Sequence, residues 1–356
     1  MNKIILIGNG FDLAHGLKTR YSDFILWYLK KAYYSLSEKN SYSDKLIVLH
    51  RKDFFKAIEI NSVYDFKEVI RIQGIRVNYG NTFFKYIIDQ CLECNWVDIE
   101  SSYYSRLLEI FKKTESNLRV DFPKIDTELK SLNRSFENIK EKLIEYLLTV
   151  DNTLEKGNEE IFNHFLKEVN ETLQKNNKTG NSNKVIYLIF NYTSTIKLYS
   201  NALNSGVSKI FYIHGKLNDI KNPIIFGYGD ETDEYYEKIE RLNKNEFLRN
   251  IKSFSYFKNN NYQEFSKFLD KDQYNVHIMG HSCGVSDRIL LKSIFEHKNC
   301  HQIKIYYYQK SSNENDFFEK TQEISRHFSA INKERMRRII VPLSDCMPLV
   351  KFQQLP

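Results

Sequence analysis

Ile4-Ile5-Leu6-Ile7, an unbroken apolar run opening almost at the first residue, stops at Gly8-Asn9-Gly10, two glycines spaced by one. A short apolar run ended by glycines predicts a buried parallel strand feeding a tight turn. Such a turn has the outline of a phosphate cradle. Glycines let the backbone approach a diphosphate, and the N–H groups of a following helix point toward the anion. The dinucleotide-binding pattern wants a third glycine three residues on, where this chain has Leu13. The turn is therefore of nucleotide type without being the dehydrogenase version, or else its glycines serve turn geometry alone.

With 356 residues, 42% of them hydrophobic and 14% aromatic, the chain can fill one large or two modest cores. Mean hydropathy is negative, and no apolar run reaches the ~18 residues of a membrane span. The opening run is too short for a signal-peptide core, so the cytoplasm is the expected location. A net charge of +7 is spread along the chain, and nucleic acid is not required as a partner. Five cysteines, at 91, 94, 283, 300 and 346, make no disulfide framework. Cys91-Leu-Glu-Cys94 has zinc-ribbon spacing but no second pair, which favours packing, and no metal is assigned.

Ser22-Asp23 offers a cap to an aromatic helix running to about Tyr34. From about 50 to 175 helical periodicity dominates, most plainly over Leu129 to Leu148 and Ile161 to Leu173. The polar stretch 174–184 closes this region. Strands are then expected at Val185–Phe190, Lys209–Ile213, Ile224–Phe226, Val276–Met279, Ile303–Tyr308 and Ile339–Val341, with helical patterns between several of them. That alternation predicts an α/β fold with a Rossmann-like, mostly parallel sheet interrupted by a large helical insertion. Its pieces are 1–35 and 184–345, the insertion 36–183 and a tail 346–356.

In open α/β sheets, ligands collect at the carboxyl ends of the strands. Five expected strand ends here carry Gly, Asn, His or Asp: Gly8 to Asp12, Asn191-Tyr192-Thr193, His214-Gly215, Gly227 to Asp230, and Gly280-His281-Ser282 through Asp287. Gly8-Asn9-Gly10-Phe11-Asp12-Leu-Ala-His15-Gly16, Trp96-Val-Asp98-Ile-Glu100, Phe190-Asn191-Tyr192-Thr193, Ile213-His214-Gly215 and Gly280-His281-Ser282 together resemble the bacteriophage abortive-infection AbiH family over most of the chain. More distantly, the strand-end series is similar to SIR2-like (sirtuin-type) NAD-binding domains, over the α/β pieces only.

The resemblance implies NAD or a related nucleotide as ligand or substrate. It sets Gly8, Gly10 and Phe11 over the diphosphate and nicotinamide side and Asn191 beside the nicotinamide ribose. It makes His214 the general base and puts Gly280 and Ser282 near the adenosine ribose. Asn9, Thr193, Gly215, His281 and Asp287 stand at the same ends and complete the expected binding set. Asp12 and His15, a helical turn apart, either join it or cap the first helix. Sirtuins follow their Asn with a β-branched residue and an Asp and carry a four-cysteine zinc module. This chain has Tyr192-Thr193 and no such module, which argues against protein deacylation and leaves dinucleotide cleavage.

Cleaving the nicotinamide bond passes through an oxocarbenium-like state, for which Asn191 can order water or ribose hydroxyls and His214 can take a proton. Either residue could instead be an ordinary loop former. Asp98 and Glu100, two apart on an extended segment, would face one way and could bind a cation or neutralise a cationic ring. Otherwise they are a solvated acidic edge or a helix start before Ser101-Ser102. Two rival readings stand beside the NADase. Gly280-His281-Ser282-Cys283-Gly284 matches the nucleophile elbow of α/β-hydrolase esterases, with Asp316 and His327 as the acid and base. A non-catalytic nucleotide sensor or phage-recognition scaffold is the other. A phage-derived trigger is the expected partner in either defence role, no membrane is involved, and self-association is open.

Overall fold

The computed structural model describes residues 1–52, 55–94, 97–116, 121–180, 182–203 and 206–351. Trp96 and residues 352–356 of the expected tail lie outside them. The opening run forms β1 (Asn2–Ile7), buried along its whole length. A strand without a polar face needs neighbours on both edges and cover on both faces. β1 has them: it pairs in parallel with β5 (Val185–Ile189) on one side and β7 (Tyr274–Met279) on the other, Ile4 standing between Ile186 and Val276.

With β2 (Ser41–Ser43), β3 (Val48–His50), β4 (Arg76–Asn78), β6 (Ser208–Tyr212), β8 (Cys300–Tyr307) and β9 (Met347–Pro348), the strands make two sheets. The larger has the order β6-β5-β1-β7-β8-β9 with every pair parallel. Renumbered within that sheet the order is 3-2-1-4-5-6, the doubly wound arrangement. The chain reverses its direction of travel across the sheet between β1 and β7, and connections leaving those strands diverge to open a crevice.

Two expected strands take other roles. Ile224–Phe226 is extended but outside the sheet, its Ile225 N–H donating to the His214 carbonyl at 2.8 Å while Ile224 and Phe226 pack into the helical core. At the far edge, Lys333–Ile339 is helical, Ile340 makes one bridge to Ile303, and the sixth strand is β9, within what the sequence marks as a tail.

The intervening region is mainly helical: α1 (Asn9–Leu13) and α2 (Tyr21–Tyr34) follow β1, then α3 (Val63–Ile72), α4 (Thr82–Cys94), α5 (Ile99–Ser116), α6 (Phe122–Asp151) and α7 (Glu159–Thr179). Against expectation it also holds β2-β3-β4, a small antiparallel sheet. Asp121 accepts the Lys124 N–H at 3.1 Å and Pro123 occupies the first turn, so α6 starts sharply and runs 30 residues, about 45 Å. Its apolar stripe, including Phe136, Ile139 and Leu143, joins Phe24, Tyr28 and Tyr103 in the insertion's core. Helix α7 serves the sheet instead. Its Ile161 and Phe165 cover Ile5, Ile7 and Tyr187, while Phe265, Leu269, Leu290 and Ile294 cover the opposite face, giving helix layers on both sides.

Candidate functional site

Where β1 and β7 end, two backbones touch. The Gly10 N–H donates to the Gly280 carbonyl at 2.7 Å, and Gly280 has φ +77°. A Cβ on Gly280 would stand 2.1 Å from the Phe11 nitrogen, and one on Gly10 would stand 2.7 Å from the Gly280 oxygen. These glycines exist so that two strand-end loops can interlock. That is a geometric reason for glycine, and it differs from the expected approach to a diphosphate.

Above this junction lies a cavity of about 340 Å³ between the sheet's carboxyl edge and the helical insertion. Gly8, Asn9, Asp12, Asn191, Thr193, His214, His281, Ser282 and Asp287 border it, as do Asp98 and Glu100. The remaining expected residues do not. Phe11 is fully buried against Phe165 and Tyr199, and His15 bonds the Phe11 carbonyl at 2.7 Å and the Tyr199 hydroxyl. Gly10, Gly215 and Gly280 shape loops behind the cavity; at Gly215 a Cβ would lie 2.2 Å from the Pro223 oxygen.

Asn191 is buried, and neither its Oδ1 nor its Nδ2 has a hydrogen-bond partner among the described residues. An orphaned buried carboxamide is costly unless something else satisfies it. Asp12, beside it, accepts the Thr193 hydroxyl at 2.7 Å on Oδ2, while Oδ1 has no hydrogen-bond partner among the described residues. Burial pushes its carboxyl up to about 6, against the lowering pull of the Thr193 hydroxyl bonded to it and of the polar Thr195 and Asn191 side chains nearby.

The cavity also borders a buried charge cluster. His214 Nε2 lies 3.3 Å from Asp287 Oδ1, and the same oxygen accepts from Lys252 Nζ at 2.7 Å. Lys252 also reaches Glu100 at 3.1 Å, and Glu100 accepts the Gly227 N–H at 2.9 Å. His281 Nε2 stands 3.6 Å from Asp287 Oδ2. Burial pushes His214 down to about 3 against the pull of Asp287, so the imidazole is neutral near pH 7. Burial alone would raise Asp287; Lys252, His214 and His281 reverse this and hold it well below the usual carboxylate range. For Glu100 burial wins over Lys252 and lifts it to about 7.

Asp98 and Glu100 lie at a helix start, not on an extended strand. Asp98 caps α5, accepting from the Glu100 and Ser101 N–H groups at 3.0 and 3.1 Å, and only Glu100 enters the charge cluster. The hydrolase triad does not form. Among the described residues Ser282 Oγ accepts a hydrogen bond only from the Gly284 N–H, at 3.4 Å, His327 Nε2 bonds the Cys283 carbonyl at 2.7 Å, and Asp316 accepts the Tyr308 N–H at 2.6 Å. Lys252 escapes sequence reasoning because it stands among mixed apolar and polar residues, between Ile251 and Ser253, with no motif around it. Leu143 and Leu147, which border the cavity from α6, escape it because their spacing is that of any buried helix face.

Fold and site together define a doubly wound α/β protein with a cavity at its switch point that mixes polar and apolar walls, roofed by a largely helical region. Residues 4–309 match the family model for Bacteriophage abortive infection AbiH. The chain belongs to this family, and a role in phage abortive infection goes with membership. None of the curated proteins matches it. The family match carries neither NAD nor a SIR2-like relationship. Among the described residues no helix is long and apolar enough to cross a membrane.

Proposed function

We propose that the cavity binds NAD or a closely related nucleotide and that the protein hydrolyses its nicotinamide glycosidic bond during abortive infection. The observation that carries this reading is the buried Asn191 carboxamide, unpartnered among the described residues and bordering the same cavity as a neutral His214 at the β1/β7 switch point. Asn191 and the free oxygen of Asp12 suit ribose hydroxyls, which both donate and accept. Arg20, at the cavity wall with no ion pair among the described residues, suits a phosphate. Water attacks the anomeric carbon as the bond to nicotinamide breaks, the bond's electron pair neutralises the pyridinium ring, and His214 takes the water's proton. The products are nicotinamide, ADP-ribose and one proton.

Purified protein incubated with NAD, alone and with phage lysate, is expected to release nicotinamide measurable by chromatography. His214→Ala is expected to lower the rate ~10² to 10⁴-fold, the range for lost general-base assistance, and Asn191→Ala to lower it as well. Protein that leaves NAD intact in both conditions, and binds no adenine nucleotide by calorimetry, overturns the reading. Binding without cleavage supports the nucleotide-sensor alternative.

A further inference from the structure

We infer that Asp287 positions the His214 ring, and that Lys252 makes this positioning depend on Glu100 of the helical insertion. The inference rests on the reading that His214 is the working imidazole of the cavity. Of the two ring nitrogens, Nε2 hydrogen-bonds the Tyr256 hydroxyl at 3.3 Å and lies at ion-pair distance, 3.3 Å, from Asp287 Oδ1; Nδ1 has no hydrogen-bond partner among the described residues. The negative charge of an ionised Asp287 beside Nε2 favours the tautomer with its proton on that nitrogen. That leaves the lone pair on Nδ1, the nitrogen unused among the described residues. Tyr256 can accept or donate and so does not choose a tautomer by itself.

Asp287 is not free to act alone. Its Oδ1 is shared with the Lys252 ammonium, which also touches Glu100 in the first turn of α5. While Glu100 holds part of that ammonium, Asp287 keeps negative charge for His214. Withdrawing α5 would turn the whole cation onto Asp287 and weaken its grip on the ring, since buried charges a few ångströms apart interact strongly. The four side chains thus form one line from the insertion to the imidazole: Glu100, Lys252, Asp287, His214. A trigger acting on the insertion has a physical route to the site through it.

Protein labelled with ¹⁵N-histidine, with His214 assigned by its loss in His214→Gln, reports the tautomer directly by long-range ¹H–¹⁵N NMR. Wild type is expected to carry the proton on Nε2. Finding it on Nδ1 overturns the inference without any variant, which keeps the test decisive even if substitutions misfold. Asp287→Asn, folded by circular dichroism, is expected to shift the population toward Nδ1–H and to lower nicotinamide release by ~10² to 10⁴-fold with KM little changed. An unchanged tautomer overturns the role of Asp287. Glu100→Gln is expected to move the His214 nitrogen resonances, and unmoved resonances overturn the link through Lys252. A tautomer that responds in protein that never cleaves NAD supports the positioning line while removing the proposed reaction, so the two fail separately.

Discussion

Asp12 shows how a single side chain sets a binding site against stability. One oxygen takes the Thr193 hydroxyl, the other is buried with no partner among the described residues, and burial lifts the carboxyl from its ordinary 3.8 to about 6. The folded protein therefore holds this proton more tightly than the unfolded chain does. As pH rises from about 4 through 6, the unfolded chain ionises first, and stability falls; above about 7 the loss is constant. At its limit the loss is about 3 kcal/mol, from ~1.4 kcal/mol for each pH unit separating the two states. Asp12→Asn keeps an acceptor for Thr193 and removes the ionisation. It is expected to be more stable than wild type by about 3 kcal/mol at pH 8, the gain shrinking toward zero near pH 4. Urea denaturation at several pH values measures this, and a gain independent of pH would refute it. His214 pulls in a different pH range. Its folded form resists the proton, so below its ordinary 6.5 the unfolded chain is favoured as pH falls toward 3.

At the scale of elements, the interlock between the β1 and β7 loops holds the cavity floor. Gly280→Ala would put a methyl group 2.1 Å from the Phe11 nitrogen at a φ of +77°, and neither backbone can yield without disturbing the strand behind it. The expected loss is several kcal/mol, at least ~2, seen as a lower denaturation midpoint. A midpoint within error of wild type would show that the loops are not locked. These elements were the legible ones. Ile4 to Ile7 announces a strand buried on both faces, and the strand ends at Asn191, His214 and Gly280 announce a shared edge. Other features lie below what spacing can reveal. Strands of three residues at 41–43, 48–50 and 76–78 are too short to display alternation. Ile224–Phe226 has a strand's composition, yet its Ile225 N–H bonds His214 and its Ile224 and Phe226 side chains pack into another core. Lys252 meets Glu100 across 152 residues, a pairing that only the folded chain creates.

On the scale of the whole molecule, the cavity belongs to neither part alone. Gly8, Asn191, His214 and His281 come from the doubly wound sheet; Val97, Glu100, Leu143 and Leu147 come from the insertion, and Lys252 spans the seam between them. A ligand filling this space touches both walls, so its binding energy also holds the two parts together. At a concentration 100 times its dissociation constant, a ligand bound only by the folded state adds ~2.7 kcal/mol of stability. Hydrogen exchange locates where that stabilisation falls. His214→Ala protein with excess NAD, chosen so that the nucleotide persists, is expected to show slowed exchange at residues 8–13, 191–195 and 280–287, and equally at 97–103 and 143–150. The second group does not belong to the sheet's edge, and it is protected only if the insertion closes on the ligand. Protection restricted to the strand-end loops would mean that the helices stand aside. Helix α5 would then have no means of sensing occupancy, and the line from Glu100 to His214 would carry structure without carrying a signal.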